Sequence, residues 1–348
     1  SFILILLTIF TVNSSNGSAK FEITPINIDL KGLEARGDTI VAYGNYGSAL
    51  ISYDDAETWE QIRIFETGNI INFFFEDDKM TAFSDQGDIN VSLDNGKTWD
   101  NKAQLKDSIV YVIKYPNGYF YTTKTKIKKL SENFKLIGDF PIIFLFFFAY
   151  YKEPAMRHRR TIAFIDDKLI AQIDTLAVFA KFDINLNPID TLSFKDLGIC
   201  DDCRGIYRLF TDSSSVYLGV NSNIYKTTDF KTVKKFFSYD KNYEMFGDST
   251  YPHYFKIINN KNFCLNLYDY GPKYNIFEIS DSKTAKKIGK IDCSVITKLD
   301  DGVKIPRNDF MAKNNRVTVV ADNKFLATVK LNDGETKRVS DLTDIGIN

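Results

Sequence analysis

One eight-residue turn constrains the fold more than any other stretch: Ser92-Leu93-Asp94-Asn95-Gly96-Lys97-Thr98-Trp99. It follows an alternating run, Asp88 to Val91, and reads as the reversal between two strands. A reversing backbone leaves N–H groups without ladder partners, and Asp and Ser side chains supply local acceptors for them. Gly96 gives the freedom that a left-handed turn position needs. Trp99 opens the next strand with a large apolar body to bury against a neighbour. A second copy, Ser52-Tyr53-Asp54-Asp55-Ala56-Glu57-Thr58-Trp59, stands 40 residues earlier. There Ala56 replaces the glycine, so that turn is expected to differ or to be strained.

Worn copies of the unit continue to the end of the chain. Polar hairpin turns centre on Asp38, Asp78, Asn117, Asp167, Ser213, Asn260 and Asn315, each between alternating apolar runs. Each is followed by a box-like turn, at Asp54, Asp94, Asn133, Asp183, Asp229, Asp281 and Asp333. Hairpin and box are 16 residues apart in the first five units, 21 in the sixth and 18 in the seventh. Box-to-box spacings of 40, 39, 50, 46, 52 and 52 residues suit four short strands per unit, the size of one propeller blade. The 29 Phe and 19 Tyr favour strands, and no helical period of useful length appears. The expected fold is all-β: a single β-propeller of seven four-stranded blades. Closure is expected to pair residues near Phe21 to Pro25 with the last blade, or with a strand around Lys337 to Leu342.

The pattern Ser-x-Asp-x-Gly-x-Thr-Trp resembles the Asp-box of BNR-repeat β-propellers. That group includes sialidases, xyloglucan-active glycosidases, sortilin-type receptors and photosystem II assembly-factor-like proteins. The match is full at Ser92 to Trp99, near-full at Ser52 to Trp59 and degenerate from Ser131 onward. The resemblance implies that the box joins the third and fourth strands of a blade, at its periphery and away from the binding face. It also implies that Ser52, Asp54, Thr58, Trp59, Ser92, Asp94, Gly96, Thr98 and Trp99 serve the fold.

Phe2 to Val12 is an apolar run too short to span a bilayer as a helix, and the polar segment after it ends in Gly17 and Ala19. Residues 1–19 are therefore read as an export signal, expected to be shortened at its start, and residues 20–348 as the propeller domain. The expected location is secreted, periplasmic or cell-envelope, with no integral span once the signal is removed. A net charge of −1 gives no global reason to expect a nucleic-acid partner.

Several stretches are candidates for function. Tyr150, Tyr151, Arg157, His158 and Arg160 lie in a loop read as falling between the first strand of the fourth unit and the hairpin at Asp167. Arginine forks beside aromatics suit an anionic or glycan-like ligand. Asp201-Asp202 with Arg204 and Arg208 is a second patch. Phe140 to Tyr151 reads as an innermost strand, and Lys124, Lys126, Lys128 and Lys129 as lysines on a solvent-facing strand. Cys200, Cys203, Cys264 and Cys293 are disulfide candidates, the preferred pairing being Cys200–Cys203 with Cys264–Cys293 among three connectivities. With two His in the chain no metal site or cofactor is expected.

No catalytic residue is assigned. The Ile-Pro that a sialidase carries near its start occurs only at Lys304-Ile-Pro-Arg307, near the other end. The acidic pairs Asp77-Asp78, Asp166-Asp167 and Asp300-Asp301 read as turn formers. The function expected is a non-enzymatic, monomeric binding or scaffolding module for a protein or carbohydrate partner. The alternative is a sialidase- or xyloglucanase-like glycoside hydrolase, which would need two carboxylates facing each other across a cleft.

Overall fold

The computed structural model describes residues 30–142, 162–173, 178–199, 208–211, 214–220 and 223–238, and the strands that follow as far as Leu342. Among these residues every regular element is a strand, and the strands form seven four-stranded antiparallel sheets. Each sheet consists of four strands consecutive in sequence. The first holds β1 (Leu30–Arg36), β2 (Thr39–Gly44), β3 (Ser48–Ser52) and β4 (Glu60–Arg63). The second holds β5 (Ile70–Phe75), β6 (Met80–Ser84), β7 (Asp88–Ser92) and β8 (Asp100–Gln104). The third holds β9 (Tyr111–Tyr115), β10 (Gly118–Thr122), β11 (Lys126–Ser131) and β12 (Leu136–Pro141). The fourth holds β13 (Ile162–Ile165), β14 (Lys168–Gln172), β15 (Val178–Phe182) and β16 (Pro188–Ser193). The fifth opens with β17 (Arg208–Thr211) and ends with β20 (Lys234–Ser238); the sixth spans Tyr254 to Asp292, and the seventh Phe310 to Leu342.

First strands of successive sheets lie beside one another, and β1 also lies against the first two strands of the seventh sheet. The first strands thus line the inside of a ring and the fourth strands its rim. Burial follows that order: β2 and β6 are buried almost throughout, whereas β4 and β8 are largely exposed. A meander of this kind puts the first-to-second and third-to-fourth turns on one side of the ring. The second-to-third turns and the passages to the next sheet open on the other.

The core lies between sheets. Val41, Tyr43, Ala49 and Ile51 of the first sheet meet Ile70, Phe73, Met80 and Ala82 of the second. Phe83, Ile89 and Val91 of the second meet Val112, Tyr119 and Tyr121 of the third. Tyr115, Phe120 and Ile127 then meet Ile162, Leu169, Ala180 and Phe182. Burial on both faces explains why β2 and β10 read as nearly continuous apolar runs.

The expected hairpins at Asp38, Asp78, Asn117 and Asp167 do join first to second strands, and the acidic pairs Asp77-Asp78 and Asp166-Asp167 are turn residues. Other expectations need correction. Phe140 and Pro141 end β12, the outermost strand of its sheet, rather than belonging to an innermost strand; the rest of that run, from residue 143, is outside the described residues. Because β13, the first strand of the fourth sheet, begins only at Ile162, Tyr150 to Arg160 precede that strand in the chain instead of following it, and they lie outside the described residues. The lysine-rich strand β11 is the third of its sheet; Lys124 before it is exposed and Lys126 nearly half so, but Lys128 and Lys129 are turned inward rather than solvent-facing. Lys126 pairs with Asp139 and Lys128 with Asp107, while Lys129 lies buried over the Tyr115 ring at 5.3 Å. Residues Phe21 to Pro25 lie outside the described residues; Lys337 to Leu342 pair within the seventh sheet, against its third strand.

Candidate functional site

The third-to-fourth turns are self-contained polar knots. In the second sheet Ser92 Oγ donates to Asp94 Oδ1 at 2.8 Å and accepts the Gly96 N–H at 2.8 Å. Asp94 accepts the Thr98 N–H at 2.8 Å and the Thr98 hydroxyl at 2.6 Å. The first sheet repeats the arrangement with Ser52, Asp54 and Thr58. The Asp94 carboxyl is lowered from 3.8 to about 2, by the Thr98 hydroxyl and N–H and by Ser92. Burial alone would raise Asp54, but bonds from Thr58, Ser52 and the Glu57 backbone outweigh it, and its pKa falls. In the fifth sheet Asp229 is held by Thr232, Lys231 and Thr227 and is lowered as well. Asp183 in the fourth sheet accepts from Asn185 and Asn187, whose side chain stands where Thr98 does in the second.

Each turn also presents an apolar residue or glycine in the left-handed region, Ala56, Gly96, Phe134, Leu186 and Phe230, with Asp55 and Asn95 left-handed as well in the first two. At Gly96 (φ 91°) an added Cβ would sit 2.8 Å from Ile51 Cδ1 of the preceding sheet, so glycine permits the close approach. The space beside it is filled by Trp99, packed among Tyr43, Phe73 and Met80, with its indole N–H on the Gly96 carbonyl at 3.0 Å. In the third to fifth sheets no tryptophan follows the turn, and the left-handed residue itself plugs the gap. Phe134 stacks on Tyr119, Leu186 enters the layer between the third and fourth sheets, and Phe230 that between the fourth and fifth.

On the same side of the ring, but at its inner edge, side chains link successive sheets. Glu76, just past β5, accepts from Thr81 at 2.5 Å, from Lys114 of β9 at 2.5 Å and from the Tyr119 hydroxyl of β10. Arg36, ending β1, donates to the Glu76 carbonyl and lies over the Phe75 ring at 5.3 Å. Burial would raise the Glu76 carboxyl, but bonds from Lys114, Thr81 and Tyr119 and the Lys114 charge outweigh it and hold it below its ordinary value. Burial, then Glu76, pushes the Tyr119 phenol up. The second and third sheets are thereby clasped around the Glu76 carboxylate, and the first is tied to its backbone carbonyl.

Beside the clasp lies a concavity of about 560 Å³ between the first hairpins of the third and fourth sheets. Lys114, Tyr115 and Pro116 form one wall, and Phe164, Ile165, Asp166 and Asp167 the other. Asp166 and Asp167, at φ 47° and 56°, form the two-residue reversal between Ile165 and Lys168 and are exposed. In the sequence they read only as turn formers; nothing there shows that Lys114, remote along the chain, faces them across a neighbouring hairpin. Among the described residues no group of three or more His, Cys, Asp or Glu is placed to hold a metal ion, and no helix is long and apolar enough to cross a membrane.

The loop residues Tyr150, Tyr151, Arg157, His158 and Arg160 lie outside the described residues, as do Cys200, Cys203 and Cys293, Asp201, Asp202 and Arg204, Lys304 to Arg307, and Asp300 and Asp301. Cys264 lies on the second strand of the sixth sheet, opposite Phe255 and Phe277.

No protein-family model matches this chain, and no curated protein matches it. Solved structures do. Saccharomyces cerevisiae Sqt1 aligns at 10% identity over 89% of this chain and 84% of its own, with a TM-score of 0.55. YCF48 from Cyanidioschyzon merolae aligns at 12% identity over 91% of this chain and 97% of its own, with a TM-score of 0.54. The fold is a β-propeller. A streptogramin B lyase is also similar, at 11% identity over 78% of this chain and 82% of its own, with a TM-score of 0.51. At such identities the likeness establishes the propeller architecture alone, and function has to be argued from the propeller's own side chains.

Proposed function

We propose that this chain is an exported β-propeller of the Asp-box type, with seven blades, that works without catalysis as a binding or scaffolding module for a protein partner. The partner is held at the inner edge of the ring, on the side that carries the first hairpins and also the boxes, not on the opposite side that the Asp-box resemblance implies. The observation carrying this reading is the engagement of the carboxylates. Each described carboxyl group with a displaced titration is displaced downward: Asp54, Glu76, Asp94, Asp107, Asp139, Asp183 and Asp229. A glycosidase acid needs the opposite, a carboxyl kept protonated near neutral pH. These groups stay ionised and hold turns and sheets together, while the concavity beside Lys114 remains open to solvent between two hairpins. Residues 1–19 serve in this reading as the export signal.

The test exposes the full chain to peptide and glycan arrays, and to fluorogenic sialosides and xyloglucan oligosaccharides. Retention on peptide features is expected, with loss of it in the doubly substituted Asn117→Arg/Asp167→Arg chain, which blocks the concavity from both hairpins. Retention on glycans alone, or hydrolysis abolished by replacing a single carboxylate, would overturn the proposal.

A further inference from the structure

We infer that the concavity between the third and fourth sheets receives a lysine or arginine side chain presented by an extended protein segment; this rests on the protein-binding reading above and specifies its ligand. Four features lead there. Among the described lining residues the one cation, Lys114, is paired with Glu76 at 2.5 Å, a carboxylate with only 9% of its side chain exposed that Lys79 approaches less closely, at 3.8 Å. Among the described residues the lining thus presents no cation without a carboxylate partner. Opposite stand Asp166 and Asp167, both exposed, on a backbone locked by the Ile165–Lys168 pair, so the negative charge is held in a fixed place.

The third feature is the character of the apolar wall. Tyr115 is 3% exposed, with its ring covered by Phe120, Phe164 and the Lys129 ammonium, so it has no open face on which a sugar could stack. What remains, Pro116, Phe164 and Ile165, suits an aliphatic stem. A long cationic side chain combines the two needs: its methylenes lie along apolar surface while its head reaches a carboxylate. The fourth is size. About 560 Å³ falls within the ~300–1,000 Å³ of typical ligand sites and leaves room for the residues flanking the cation.

The test measures fluorescence anisotropy of the full chain with three labelled, end-blocked peptides of sequence Gly-Leu-X-Leu-Gly, in which X is lysine, norleucine or glutamate. Norleucine keeps the stem and removes the charge. The lysine peptide should bind about tenfold more tightly than the norleucine peptide, with the glutamate peptide weaker still, and the advantage should shrink as salt rises. Asp166→Asn with Asp167→Asn should bring the lysine peptide down to the norleucine value. Asparagine tolerates the left-handed region, so the hairpin persists and the melting temperature stays close to that of the parent chain. Equal affinity for all three peptides would keep the binding reading and overturn the cationic ligand. So would a lysine preference that survives the double substitution. Binding of none of them overturns this inference, and the arrays described above then decide the broader reading on their own.

Discussion

The turn after β7 in the second sheet and the turn before β20 in the fifth solve one problem with different residues. Both tie an aspartate to a hydroxyl residue on each side: Ser92 and Thr98 around Asp94, Thr227 and Thr232 around Asp229. Both must also fill the gap toward the preceding sheet. The second sheet does so with Trp99, beyond the knot, and keeps glycine at the left-handed position. The fifth puts Phe230 at that position, at 4% exposure and under the Lys181 ammonium, and follows the knot with the smaller Val233. Polar knot and apolar plug are thus separable. A repeat can lose its sequence signature while keeping both functions, because the sheet interface needs a filled volume rather than a particular residue.

That exchange explains what could be read in advance. The hairpin-to-box spacing of 16 residues was legible through the fifth unit because the second and third strands keep nearly constant length. The box pattern faded after Trp99 because the plug moved into the turn, where Phe134, Leu186 and Phe230 do not resemble Gly-x-Thr-Trp. Apolar content alone misplaced Phe140, since an outer strand packing against a neighbouring sheet, as Phe140 does on Phe182, reads like an inner one. Lys128 on β11 looked solvent-facing because its partner Asp107 comes from another segment. The concavity escaped notice for the same reason: its walls come from two hairpins.

If the plugs carry the interfaces, removing one should have the largest effect. Phe230→Ala should cost about 3–5 kcal/mol in urea unfolding, the usual range for a buried phenylalanine, and Leu186→Ala about 2–5. A loss below about 1 kcal/mol at both would break the comparison. Next comes the clasp. Glu76→Gln should cost about 2–3 kcal/mol, since Lys114 and Tyr119 lose an ionised acceptor in a mostly buried place. Because the folded pKa of Glu76 is lowered, its contribution is present above the ordinary value of 4.5 and lost as pH falls through the folded value. The Glu76→Gln chain should accordingly show a weaker acid dependence than the parent in urea titrations.

Asp94 sharpens the knot side of the comparison. Its carboxyl falls from 3.8 to about 2, so its stabilisation is complete above pH ~4 and disappears as pH drops through about 2. Asp94→Ala should lower the melting temperature at neutral pH, lessen the acid sensitivity between those values, and leave affinity for the lysine peptide unchanged. A variant that kept its melting temperature but lost peptide binding would contradict the structural role.

Smallest is the exchange between the full box and the near-full one. Gly96→Ala should cost about 1–2 kcal/mol, because its Cβ would press on Ile51 at a strained backbone position. Ala56→Gly relieves the left-handed strain at φ 70° but gives up a buried methyl group. It also lets the turn settle as in the second sheet, bringing the unpaired Trp59 indole N–H toward the residue-56 carbonyl. A net change within about 1 kcal/mol is expected, with a shift in Trp59 fluorescence toward that of Trp99.

The interchangeability of plugs is tested most directly by moving one. A double-mutant cycle in the fifth sheet would compare Phe230→Gly, Val233→Trp and the two together by urea denaturation. Val233 holds the place after Thr232 that Trp99 holds after Thr98, and it already touches the same apolar cluster. The single Phe230→Gly chain should be destabilised by about 3–5 kcal/mol, and adding Val233→Trp should restore at least about 1–2 kcal/mol of that loss. A double variant no more stable than the Phe230→Gly chain would show that the two plugs do not fill the same space, and would contradict the account.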